Sequence, residues 1–121
     1  ALPVVLTPIN VPADAGQVTT ADTATVYRQI LADLDSAEKI IGSARRTRQA
    51  SVGAIRALRT RVLLYRRDYA GTVTAAQSVT ALGYQLAPSY AGLFTASGSD
   101  TPEDIFRLRY NDQNSNSLSF Y

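Results

Sequence analysis

Between Thr19 and Gly42, apolar residues recur at intervals of three and four: Val26, Tyr27, Ile30, Leu31, Leu34, Ala37 and Ile41. A stripe of that period is buried only when one face of a helix packs against another element. Arg28, Asp33, Asp35, Glu38 and Lys39 fall largely off it. The pattern predicts a helix starting near Thr19 or Thr20, with a Thr as N-cap. Asp22 then sits in the first turn, where an anion suits the helix dipole, and Gly42 is the stop.

Two further helices follow from the same signals. Ser51 caps one that runs to about Arg67, with Ile55, Leu58, Val62 and Tyr65 as its buried row. Arg56, Arg59, Arg66 and Arg67 lie mostly outside that row. A sharp turn at Asp68 starts a third helix through about Leu82, with Tyr69, Val73, Ala76 and Val79 as its stripe, and Gly83 ends it. Thr and β-branched residues give this helix weak intrinsic propensity, so packing must hold it. The run Tyr65-Arg66-Arg67-Asp68-Tyr69 resembles the turn of a tetratricopeptide hairpin, although Thr72 stands where a strict repeat has a small residue.

The flanks read differently. Pro3, Pro8 and Pro12 disfavour helix, so Ala1–Asn10 is expected to be extended, and Val11–Val18 to form a polar loop around Gly16. Ser43–Ala50 reads as a basic loop. Tyr84–Leu86 is extended, and Pro88 and Ser89 start one short helical turn through Phe94. Thr95–Thr101 is a polar loop. From Ile105 to Tyr110 the parity of Phe106, Leu108 and Tyr110 against Arg107 and Arg109 predicts a strand. The expected fold class is therefore mainly α. It consists of antiparallel helical hairpins of tetratricopeptide-like type, with an extended N-terminal segment and a short C-terminal strand. The expected organisation is an extended segment and loop over 1–18, a helical region over 19–94, and a loop, strand and Asn/Ser-rich tail over 95–121.

At 121 residues, 45% hydrophobic and 18% charged, the chain is long and apolar enough for one globular domain with a core. It has no His and no Cys, which removes Ser-His-Asp and Cys-His nucleophiles, ordinary zinc sites and disulfides. Eleven Arg stand against the single Lys39, yet the net charge is only +2. Arg45, Arg46, Arg48 and the Arg face of the second helix have the chemistry to hold phosphate. Solvated charge is the simpler reading, and nucleic acid is not an expected partner. Asp33 and Asp35 point about 200° apart on a helix, so they cannot act as a pair. Glu103 and Asp104 are adjacent, and nothing places two carboxylates across a cleft as glycoside hydrolysis requires. Asp112, Asn114 and Asn116 alternate like the start of a calcium loop, but Ser117 occupies the Gly position, so a solvated loop is the plainer reading and no metal is expected. No apolar run approaches the roughly 20 residues of a membrane span.

The tail mixes aromatic rings and amides. Rings stack on sugar C–H faces, and amides pair with hydroxyls. Tyr110, Asn111, Asn114, Asn116, Phe120 and Tyr121 are accordingly the candidate ligand contacts. The alternative is that Phe120 and Tyr121 pack into further protein, because a chain stopping on Ser119-Phe120-Tyr121 reads as cut from something larger.

Several segments together resemble the SusD/RagB family of surface nutrient-binding lipoproteins. The opening Leu2-Pro3-Val4-Val5-Leu6-Thr7-Pro8 is similar to that family's proline-flanked stretch. Ile30-Leu31-Ala32-Asp33-Leu34-Asp35-Ser36-Ala37 resembles its Ile-x-x-Asp-Leu-x-x-Ala helix core. Ala54-Ile55-Arg56-Ala57-Leu58 through Asp68-Tyr69, then Tyr84-Gln85-Leu86, Tyr90-Ala91-Gly92-Leu93-Phe94 and Glu103-Asp104-Ile105-Phe106, follow in the family's order. The third helix departs from it, carrying Thr72, Val73 and Thr74 where Ala is usual. The resemblance implies an internal piece of an exported lipoprotein of the Bacteroidetes outer membrane. Such a parent is not an enzyme and needs no cofactor. It caps a SusC-type TonB-dependent transporter and holds an oligosaccharide or other nutrient. Its only membrane contact is a lipid anchor outside these residues. The rival reading is a stand-alone tetratricopeptide-type adaptor for protein partners.

Overall fold

The computed structural model describes residues 2–16, 18–44, 46–94 and 100–108. Most of its regular structure is in three helices: α2 (Thr23–Ile40), α3 (Val52–Tyr65) and α4 (Tyr69–Thr80). Before them come strand β1 (Leu2–Pro3), the single turn α1 (Pro12–Ala15) and strand β2 (Thr20–Ala21); after them comes a 3₁₀ turn over Ala91–Phe94. The fold is mainly helical. Its one sheet among the described residues is the two-residue antiparallel pairing of Leu2 with Ala21 and Pro3 with Thr20.

That pairing moves the start of α2. A Thr N-cap with Asp22 in the first turn was the expectation; instead Thr20 is in the strand and Asp22 is itself the cap, accepting from the Thr25 backbone N–H at 2.6 Å. A carboxylate is a stronger acceptor than a hydroxyl for an orphan helix N–H. The Thr25 N–H, then the Thr25 hydroxyl, hold the Asp22 carboxyl below the usual carboxylate range, with Arg28 adding to the effect. A depressed folded pKa contributes stability above the unfolded value, which is lost as pH falls through the folded one. The Asp22 carboxyl carbon should therefore titrate at lower pH than that of an unfolded Asp peptide when followed by NMR. A midpoint at or above the peptide value would remove the cap from the account.

The α2 stripe packs as its period requires, with Leu34 buried and Val26, Tyr27, Ile30, Leu31, Ala37 and Ile41 half-buried. Ser51 caps α3 through the Ala54 N–H at 3.2 Å and is 1% exposed. Asp68 caps α4 through the Gly71 N–H at 2.9 Å. Residue numbers fall along α3 as they rise along α2 where the two meet: Asp35 pairs with Arg59, and Glu38 with Arg56. The two helices are thus antiparallel. The core is Leu34 from α2, Ile55 and Val62 from α3, and Ala75 and Val79 from α4.

Several expectations are corrected here. Leu58 and Tyr65 are 50% and 62% exposed and do not belong to the buried row of α3. Tyr69 and Val73 are 63% and 56% exposed; the inward face of α4 is Ala75 and Val79. Arg56 and Arg59 lie in the helix interface rather than outside it, because Glu38 and Asp35 receive them. Pro12–Ala15 is a helical turn where a loop was expected, since proline at the first helical position presets φ. The C-terminal strand does not form over Ile105–Leu108. That segment's Arg107 N–H donates to the Thr47 carbonyl of the basic loop at 2.7 Å, and among the described residues it enters no ladder. Alternation is nevertheless present, with Phe106 and Leu108 exposed and Ile105 and Arg107 partly covered. Arg109 and Tyr110, the rest of the expected strand, lie outside the described residues.

The α3–α4 turn forces Arg67 to φ 62°, the left-handed region. That conformation costs an L-residue about 1–2 kcal/mol. Arg67→Gly should raise stability by about 0.5–1 kcal/mol in urea titration, because the strain relief exceeds the added unfolded-state entropy. A loss of stability would show that the Arg67 side chain contributes more than its backbone costs.

Candidate functional site

The sequence candidates Tyr110, Asn111, Asn114, Asn116, Phe120 and Tyr121 all lie outside the described residues, as does Asp112. The remaining candidates from sequence are the basic patch and the acidic residues, and the structure gives most of these a structural partner. In the loop before α3, Arg46 donates to Gln49 Oε1 at 2.9 Å, and Arg48 meets Asp100 at 3.5 Å. Thr47 Oγ1 donates to the same Asp100 at 2.6 Å. This loop is therefore tied to the segment that begins at Asp100, and the charge of Arg48 is matched from within the chain. On α3, Arg56 donates to Glu38 at 2.8 Å and Arg59 to Asp35 at 2.6 Å. Arg48, Arg56 and Arg59 of the patch read from sequence are thus taken up by internal ion pairs, Arg66 and Arg67 meet no described carboxylate, and Arg45 lies outside the described residues.

The carboxylates are likewise engaged. Asp33 accepts from Gln29 Nε2 at 2.7 Å. Glu103 accepts from the Ala87 N–H at 2.9 Å, and Asp104 from the Thr101 N–H at 2.6 Å. Asp104 also lies 3.7 Å from Arg107. The Glu103 bond, with the Gln85 N–H to the Pro102 carbonyl at 3.3 Å, holds the 100–108 segment against the stretch after α4, while the Asp104 contacts lie within the segment. Among the described residues no three acidic side chains gather as a metal site would require. No described helix is long and apolar enough to cross a membrane.

A different feature emerges from the packing. Ala50, Ala54, Ile55, Ala57 and Leu58 form, with Ile105 and Phe106, an open groove of about 460 Å³. Every lining side chain is apolar, so it offers contact area but no orienting polar group of the kind that small-ligand sites use. The sequence carried a partial signal for it. α3 has more apolar residues than one buried row accommodates, since Leu58, Leu64 and Tyr65 lie outside the Ile55–Val62 row. What the sequence did not reveal is that Ile105 and Phe106 return to stand beside Leu58.

Fold and groove together define a mainly helical protein in which, among the described residues, the central helix keeps one apolar face open. The chain matches no family model, no curated protein and no solved structure.

Proposed function

We propose that this chain is a non-catalytic scaffold segment of a SusD-like surface lipoprotein working with a SusC-type TonB-dependent transporter at the outer membrane. In this reading α2, α3 and α4 are tetratricopeptide-like hairpins that carry the ligand platform. Tyr110, Asn111, Asn114, Asn116, Phe120 and Tyr121 meet an oligosaccharide. The observation that supports it is the coincidence of the family-like motifs with the element order. The proline-flanked stretch precedes the bundle, the Ile30–Ala37 motif lies in α2, Asp68 caps the turn into α4, and Tyr90–Phe94 falls at the 3₁₀ turn. Helices stacked in this way bury one side and leave another for partners.

The sugar part is tested by a two-dimensional amide NMR titration with a panel of plant and host oligosaccharides. The expected result is saturable shifts confined to Tyr110–Tyr121. Dispersed peaks that stay fixed at millimolar sugar would remove the six contacts. The open face of α3 favours a second reading, a stand-alone tetratricopeptide-type interaction module. For that reading the reading frame around these residues should show neither an export signal with a lipidated Cys upstream nor a long region downstream.

A further inference from the structure

The α3 helix has three faces, and two are filled within the chain. Arg56 and Arg59 meet α2, while Ile55 and Val62 join the core with α4. Ala54, Ala57, Leu58, Arg61 and Tyr65 follow one another at helical spacing along the third face. The stripe is about three turns long. Its first half is the floor of the apolar groove with Phe106 beside it. Its second half carries Arg61, whose guanidinium lies over the Tyr65 ring at 5.8 Å.

Among the described residues no carboxylate matches the charge on this face. Every carboxylate whose side chain is described already has a partner: Asp22, Asp33, Asp35, Glu38, Asp68, Asp100, Glu103 and Asp104 each cap a helix, accept a hydrogen bond or form an ion pair. Arg61 meets none of them, and neither do Arg66 and Arg67 just beyond it. Ala54 and Ala57 are small, which lets another helix approach within the 8–10 Å of ordinary helix packing.

We propose that this face docks an amphipathic helix of a partner protein. The partner's apolar residues lie over Ala54, Ala57, Leu58 and Phe106, and an acidic residue one turn further on meets Arg61. A second copy of this chain is the poorer occupant. A face paired with itself presents the same residues from both sides, and none of those along the stripe is an acid. A partner carrying a carboxylate supplies what the face lacks. The inference rests on the described face of α3 with Phe106 beside it and is independent of the SusD-like reading.

The test uses two stapled helical peptides, each with a three-turn Leu stripe, flanked by Glu in one and by Lys in the other. Amide shifts are followed on the whole chain. The Glu peptide should give saturable shifts at Ala54, Ala57, Leu58, Arg61 and Phe106, with affinity about tenfold above that of the Lys peptide. Arg61→Glu should invert that preference with unchanged circular dichroism, and Leu58→Asp should weaken both peptides. Equal affinity of the two peptides, or shifts away from this face, would overturn the proposal. So would a sedimentation result in which the chain dimerises and Leu58→Asp restores the monomer.

Discussion

Arg56→Ala should lower the stability of this chain by about 2–3 kcal/mol in urea titration, at the level of hydrogen bonds to charged groups. Arg56 joins all three long helices from its place on α3. Its Nε donates to Glu38 of α2 at 2.8 Å, and its Nη1 donates to the Ser78 carbonyl of α4 at 3.1 Å. Both partners of the Glu38 pair are a little over one quarter exposed, so solvent screens the pair less than it does a fully exposed one. Truncation also removes the aliphatic stem that packs between the helices. Arg56→Lys should recover only part of the loss, because an ammonium cannot address two acceptors from one planar fork. Arg59→Ala is the control. Arg59 pairs with Asp35 and Glu38 on α2 and makes no bond to α4, so its loss should be smaller. If the two losses were equal, the three-helix role assigned to Arg56 would be wrong.

Gly53→Ala should also destabilise, by about 1–2 kcal/mol, although helix propensity alone predicts a gain of about 1 kcal/mol. Gly53 is buried in the first turn of α3, and a Cβ there would collide with the Tyr84 hydroxyl and stand 2.8 Å from its ring carbon Cζ. Tyr84 follows α4, so the missing side chain at residue 53 is what lets the chain after α4 close over the start of α3. A double-mutant cycle isolates this contact. In a Tyr84→Ala background the same Gly53→Ala change should become neutral or stabilising, since the obstacle is gone and propensity remains. A destabilisation that persists in that background would place its cause elsewhere.

These two residues also mark what was legible in the sequence. Long periodic segments were: the α2 stripe is as spaced, and the Ser51 and Asp68 caps sit where polar residues precede apolar runs. Buried faces were legible only where large and small residues separate cleanly. In α4 the large side chains Tyr69 and Val73 face out while Ala75 faces the core. Size was a misleading guide there, because a close helix approach favours small residues. In α3 apolar residues occur on several faces, so periodicity put Leu58 in one row with Ile55, although only Ile55 is buried. The strand at Ile105–Leu108 had the right parity, but a strand also needs an edge to pair with. Among the described residues the Thr47 carbonyl takes the Arg107 N–H and no strand edge lies beside the segment. The role of Arg56 needed the third dimension, as did the return of Phe106 to the groove, because each depends on contacts far apart in sequence. The site candidates in the tail rested on residue type alone, and their positions lie outside the described residues.

The most direct test of the functional account is to isolate outer membranes from cells producing the full reading frame that contains these residues. Mass spectrometry then identifies its N-terminal modification and what co-purifies with it. The account predicts an acylated N-terminal Cys, removal of the protein by protease added to intact cells, and recovery together with a TonB-dependent transporter. An unacylated protein found in the soluble fraction, without a transporter, would contradict it.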